Sequence, residues 1–204
     1  MIPAVLQQIE IGQRSFALYV PDPVFIRQAF AEGTLSSPYW SQVWPSAIGL
    51  SLFLLQHTEL LAGKKVLELG AGLGLPSIVA ATRAAGVLCT DKEPGAIEMV
   101  QRSAAFHRLQ HLQAMVMDWR APDEIDADIV LLSDVNYETE HFQQLKQLID
   151  QLTDRGITVI LSTPQRLMAK DFIIPLLSLC SEQHSFEVQH HAKAVAISVL
   201  LLQA

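Results

Sequence analysis

Three glycines and four acids in this chain are placed to do chemistry. Glu68, Gly70, Gly72 and Gly74 form the pattern E-x-G-x-G-x-G within VLELGAGLGLPSIVAA, Val66 to Ala81. Asp91 closes the apolar segment GVLCTD, and Asp118 with Trp119 closes LQAMVMDW. Asp134 follows ADIVLLS, with Tyr137 three residues beyond it. Glycine lets a backbone turn sharply and approach a ligand with no Cβ in the way. The dinucleotide fingerprint G-x-G-x-x-G needs its third glycine at position 75, where this chain has Leu75. An acid just ahead of the turn repels a pyrophosphate, but it suits a ligand that bears an ammonium group and no phosphate.

These residues need elements that bring them to one place. From Lys64 onward apolar strand segments alternate with helical ones: KKVLELG, PSIVAATRAA, GVLCTD, PGAIEMVQRSAAFHRL, LQAMVMDW, ADIVLLSDV, EHFQQLKQLIDQL, ITVILSTP and AKDFIIPLLSLCSEQ. Such alternation predicts a parallel sheet covered on both faces. SFEVQHH and VAISVLLLQ follow as two strands joined too tightly for a parallel crossover, so one strand runs backwards. The expected fold is α/β: a Rossmann-like three-layer α/β/α sandwich with a mostly parallel seven-stranded sheet and one antiparallel strand. Ligands of such sheets bind beyond the carboxyl ends of the strands, where all four acids fall. Upstream, two alternating segments around Gly12-Gln13 predict a β-hairpin, residues 24–32 a helix, and Pro45 the opening of another. We therefore expect one domain over 1–204, with an N-terminal extension (1–45) on a ligand-binding core (46–204). The hairpin and its helix are expected to form a lid or a recognition edge.

S-adenosyl-L-methionine answers this set of groups, since it carries an amino acid moiety, a sulfonium and a nucleoside. Asp91 can accept both ribose hydroxyls, Asp118 can take the adenine amino group, and the Trp119 indole can lie against the ring. Asp134 and Tyr137 would stand at the end of the fourth strand of the alternating series. There a carboxylate can hold an ammonium, and a tyrosine can contact the cation with its ring and hydrogen-bond through its hydroxyl. An amine with an ordinary pKa of about 10.4 must be oriented and must lose a proton before it accepts a methyl group. A carboxylate that holds the ammonium raises that pKa, so Asp134 reads mainly as a positioning group. Taken singly, Asp134 is equally a strand-ending turn residue and Tyr137 an ordinary loop-edge aromatic. Glu138 and Glu140 read as a solvated helix start, Trp40 as core packing, and Arg166 as a possible lining residue on the substrate side.

The chain resembles the seven-β-strand S-adenosylmethionine-dependent methyltransferases, and within them the family 16, lysine-methyltransferase-like branch. The resemblance rests on VLELGAGLGLPSIVAA, CTDKEPGAIEMVQRSA and ADIVLLSDVNYE, on the upstream PYWSQVWPSAIGLSLFLL, and on the D-x-x-Y motif Asp134-Val-Asn-Tyr137, and it covers about residues 36–204. It implies cofactor contacts from Trp44, Glu68, Gly70, Gly72, Gly74, Asp91, Lys92, Asp118, Trp119 and Ser133. It also implies acceptor-side roles for Asp134 and Tyr137, and a lysine side chain of a protein substrate as methyl acceptor. A small-molecule amine, of the nicotinamide type, is the alternative acceptor. A non-catalytic binding protein is a weaker reading, because such a protein need not keep Glu68, Asp91 and Asp118 together. A nicotinamide dehydrogenase is opposed by Leu75 and by the reversed strand.

Composition narrows the partners. The 204 residues are 50% hydrophobic and 17% charged, with a formal net charge of -7, so there is no basic footprint for nucleic acid. No apolar run reaches the ~18 residues of a membrane span, and the N-terminal segment lacks the basic region of a signal peptide. Two distant cysteines, Cys89 and Cys180, read as reduced thiols of a cytoplasmic protein. No metal site is expected: His190 and His191 would point to opposite faces of a strand, and no spacing resembles a zinc site. The sequence carries no signal for oligomeric state.

Overall fold

Why the strands lie where they do follows from which faces they bury. The computed structural model describes residues 1–122, 125–165 and 170–204. The segments VLEL, IVLLS and TVILSTP become β3 (Lys65–Leu69), β6 (Ile129–Ser133) and β7 (Thr158–Pro164), buried almost throughout. Strands apolar at every position need cover on both sides. The two faces are separate: Ile129 and Leu131 join one hydrophobic cluster, Val130 and Leu132 the other. The first cluster packs against α2 (Pro45–Gln56), α3 (Leu75–Ala80) and α4 (Pro94–Phe106). The second packs against α5 (Phe142–Asp154) and α6 (Lys170–Leu176).

With β4 (Gly86–Asp91), β5 (Leu112–Val116), β8 (Cys180–His190) and β9 (Lys193–Leu202), the sheet has seven strands in the order β5-β4-β3-β6-β7-β9-β8. The pairs from β5 to β7 are parallel, and β9 runs antiparallel between β7 and β8. Strand order reverses between β3 and β6, which opens a crevice at their carboxyl ends. The glycine turn follows β3, and Asp134 follows β6.

Three expectations are corrected. The helix expected through Gln183 ends at Leu176, because Pro175 lacks the N–H that would continue it and the chain then pairs with β9 from Cys180 onward. β5 stops at Val116, so Asp118 and Trp119 belong to the loop beyond it. His190 and His191 do not alternate, because β8 ends at His190 and the chain turns at His191 and Ala192 with φ of +47° and +60°. Their rings consequently lie 4.1 Å apart. Two positive φ values define a tight hairpin turn that favours Asn-Gly over His-Ala. Replacing Ala192 with glycine should therefore stabilise the protein by about 0.5–1 kcal/mol in urea unfolding, by relieving the left-handed strain.

The hairpin of β1 (Ala4–Ile11) and β2 (Arg14–Pro21) turns through Gly12-Gln13 as expected and leads into α1 (Pro23–Ala31). It lies along α4, not over the crevice. Tyr19 N–H donates to Ser103 Oγ at 2.9 Å, and Ile2 N–H donates to Glu98 Oε1 at 3.0 Å. Arg102 donates to Ile2 O and lies 4.3 Å over the Tyr19 ring. The hairpin is thus a brace on the α4 face rather than a lid. From the N-terminal extension, residues between Ser37 and Trp44 line the crevice.

Candidate active site

Beyond β3 the backbone takes positive φ at every second residue: +67° at Gly70, +55° at Gly72 and +68° at Gly74. Only glycine does this without strain, which accounts for the alternate spacing. The turn is also tightly packed. A Cβ on Gly72 would sit 3.2 Å from Trp40 O, and one on Gly74 would sit 2.8 Å from Val100 Cγ2 and 3.0 Å from Cys89 Sγ. Gly74→Ala is therefore expected to lose about 2–5 kcal/mol, from left-handed strain plus overpacking. A fall in the urea midpoint with an unchanged m-value would show it.

The turn forms one wall of a cleft of about 310 Å³, lined by every cofactor-contact and acceptor-side residue that the resemblance implies except Glu68. Asp91, at the end of β4, is 7% exposed; its Oδ2 accepts Gly72 N–H at 2.8 Å and its Oδ1 accepts Glu93 N–H at 2.9 Å. Burial pushes the Asp91 carboxyl pKa up, and these two N–H groups oppose the rise. A carboxylate offers about four acceptor sites, so lone pairs remain for hydroxyl donors. Lys92 stands beside it on the cleft wall.

At the adenine end expected from the sequence, Trp119 is half-buried and meets His141 edge-on at 6.1 Å. Asp118 lines the cleft, but Arg120 holds its carboxylate through Nε at 3.0 Å to both oxygens and Nη2 at 2.5 Å. That guanidinium lowers the Asp118 pKa. An adenine amino group would share this carboxylate with Arg120, a partner the sequence reading missed although it stands only two residues away.

Glu68 is the exception among the acids. Its side chain points beneath the turn and is wholly buried, with Oε2 accepting Ser77 N–H at 2.9 Å and Ser77 Oγ–H at 2.5 Å. Burial pushes its pKa up to about 8. The expectation of a charged contact to the ligand is corrected: Glu68 ties the start of α3 to β3 and shapes the cradle from below. Strand alternation explains this, since Leu67 and Leu69 face the α5 side and leave Glu68 on the α3 side.

Opposite the glycine turn, Ser133 closes β6 in register with Ser162. Asp134 then takes a φ of +55°, its N–H bonded to Ser162 O at 2.9 Å. Aspartate tolerates this left-handed conformation better than most residues, and such strain gathers at functional sites. Asp134 is 8% exposed and Tyr137 44%, so the acid lies deep in the cleft and the phenol at its mouth. Burial, followed by Glu138, pushes the Tyr137 pKa above its ordinary value, so its hydroxyl stays neutral at neutral pH. Glu138 heads the short helical turn Thr139–His141 with its side chain 43% exposed, as a solvated helix start would be, and it also lines the cleft and pairs with His141 at 2.9 Å; Glu140 is exposed.

Trp44 lines the cleft, and its Nε1–H donates to Tyr39 O at 2.7 Å. Trp40 is buried against Gly95, as a packing residue would be, and it also borders the cleft, which the packing expectation did not include. Tyr39 was not singled out from the sequence; only its place beside Trp40 and Trp44 marks it. Arg166 lies outside the described residues.

The cradle passes the test of fit for S-adenosylmethionine. It has a Cβ-free turn facing a cleft of small-ligand size, a lone-pair-bearing acid at the end of β4, and an indole wall beyond β5. The sheet order, this turn at its switch point and that acid define an S-adenosylmethionine-dependent methyltransferase. Solved structures share the fold. The 16S rRNA N2 G1207 methyltransferase of T. thermophilus, in complex with AdoMet and guanosine, superposes with a TM-score of 0.66 at 17% identity, over 98% of this chain and 50% of that one. The Pyrococcus abyssi tRNA (uracil-54, C5)-methyltransferase with S-adenosyl-L-homocysteine gives 0.61 at 14% identity, over 97% and 44%.

Residues 31–178 match the profile described as lysine methyltransferase, family 16, and the chain belongs to that family. It is 32% identical to the human histone-arginine methyltransferase METTL23 over 66% of this chain and 75% of that protein. It is 35% identical to protein N-lysine methyltransferase METTL21A of Danio rerio over 59% of this chain and 58% of that protein. The Danio rerio electron transfer flavoprotein beta subunit lysine methyltransferase matches at 29%, over 66% and 53%. The chain thus spans little more than half the length of the last two relatives.

Proposed function

We propose that the protein transfers a methyl group from S-adenosylmethionine to the side-chain nitrogen of a lysine in a protein substrate. The observation that carries this is the meeting of two motifs from adjacent paired strands: the glycine turn after β3 and Asp134 to Tyr137 after β6 line one cleft. The cofactor supplies an electrophilic methyl group on a sulfonium. Gly70, Gly72, Asp91 and Trp119 would hold it, and Trp44, Lys92 and Ser133 border the same space. The chain's own task is alignment. Asp134 draws in and orients the ammonium, Tyr137 offers a ring face and a neutral hydroxyl, and the proton leaves to solvent through the open mouth.

Two relatives named as lysine methyltransferases support the lysine acceptor, and identity to METTL23 supports arginine as the second reading. A cytoplasmic setting without nucleic-acid or membrane partners belongs to the same proposal. Two free cysteines and the net charge of -7 support it; no helix among the described residues is long and apolar enough to cross a membrane.

The test is incubation with methyl-labelled S-adenosylmethionine and an extract of the source cells, counting label in protein and in small molecules. Label in a discrete protein band, on lysine by mass spectrometry, is the expected result. Label on arginine would move the assignment to the second reading. Label in small molecules alone would overturn both.

A further inference from the structure

At the cleft mouth the rings of two tyrosines from distant parts of the chain stand side by side at an angle. Tyr39 and Tyr137 have ring centroids 5.8 Å apart, tilted by 59°, and are 54% and 44% exposed. Large aromatics with so much exposure, both lining a cleft, offer ring faces to whatever enters it. Tyr39 is also held in place: it opens a short helical turn, Tyr39–Ser41, its carbonyl accepts the Trp44 indole N–H at 2.7 Å, and its ring lies 6.4 Å from the Trp44 ring. The acids behind the pair, Asp134 and Glu138, line the same space.

We infer that Tyr39 and Tyr137 form a two-walled cation slot that recognises a side-chain ammonium in any state of methylation, and that Tyr39 is a specificity-determining residue of the enzyme. The inference rests on the amine-acceptor reading above and adds a substrate class to it. Its physical basis is the negative face of an aromatic ring, which attracts a cation within about 6 Å of the centroid. A carboxylate alone would favour the parent ammonium, because each added methyl group removes an N–H donor. The ring faces respond to the charge, which methylation leaves intact. A methylated product therefore keeps its place in the slot, and a neutral group of the same shape does not.

The test uses the full chain loaded with S-adenosylhomocysteine, titrated with N-acetyl-Nε,Nε,Nε-trimethyllysine methylamide and with its neutral isostere, in which carbon replaces the quaternary nitrogen. Binding is read from aromatic proton shifts. The cation should bind more tightly than the isostere, by about 2- to 30-fold. Tyr39→Leu should lower that ratio to the part that Tyr137, Asp134 and Glu138 still supply, and Tyr39→Phe should keep it whole, since phenylalanine retains the ring face. S-adenosylhomocysteine affinity, measured on the same samples, separates a lost slot from a lost fold. Equal binding of cation and isostere by the wild type, or an undiminished ratio in Tyr39→Leu, would overturn the inference. Cation selectivity without lysine labelling in the extract would leave the slot standing and remove the lysine-acceptor function instead.

Discussion

Replacing Asp134 with asparagine is expected to lower kcat/KM for the protein acceptor by roughly 10²-fold or more, with cofactor affinity nearly unchanged. Asparagine is the informative substitute. It tolerates the left-handed conformation that Asp134 adopts at φ +55°, so the turn that bonds to Ser162 O stays in place. What disappears is the negative charge that orients an ammonium. Asp134→Ala would mix that loss with strain, so it serves as the coarser control. Initial rates with labelled cofactor, beside titration with S-adenosylhomocysteine, separate the two effects. An unchanged kcat/KM with normal cofactor binding would remove Asp134 from the acceptor side. Tyr137→Phe keeps the ring and loses one hydrogen bond, and should cost only about 2- to 12-fold.

The second large effect concerns stability. Glu68 is wholly buried, and its folded pKa of about 8 stands above the ordinary value of 4.5. The folded protein therefore keeps a proton that the unfolded chain has released, over the window between those values. Stability from this group is complete below about pH 4.5, falls as pH rises towards 8, and is flat beyond. The full fall is on the order of 5 kcal/mol. Glu68→Gln cannot ionise and keeps an acceptor for the Ser77 N–H. Its unfolding free energy should change much less between pH 5 and 8.5, and it should exceed the wild type at the alkaline end. Asp91, whose carboxyl is also raised by burial, leaves a residual slope in both proteins. Parallel pH profiles for variant and wild type would show that Glu68 is ionised in the folded state.

Glu68, Asp118 and Tyr39 each meet a partner that no local motif announces. Spacing alone marked Glu68 as an acid ahead of a glycine turn, and alternation along a strand says only that it faces away from Leu67 and Leu69. Whether that face meets ligand or helix depends on where α3 packs, and Ser77 answers the question nine residues downstream. The sequence marks Asp118 as an acceptor for the adenine amino group and gives no sign of Arg120, which forms no recognisable motif with it. Tyr39 gave almost no signal, since the ring beside it lies 98 residues away in the chain.

By itself the sequence determined the strand and helix order, the reversed strand, the glycine turn and the end of the sheet at which chemistry collects. Each of these is set by residue type and spacing: apolar runs that need two covered faces, a connection too short for a crossover, and glycines where φ must be positive. Tertiary structure alone decided which acids face the cleft, that the hairpin braces α4 instead of covering the site, and that Tyr39 stands beside Tyr137. Those outcomes depend on packing between elements far apart in the chain, where burial and the partner a side chain meets, rather than its neighbours in sequence, set its charge and its reach.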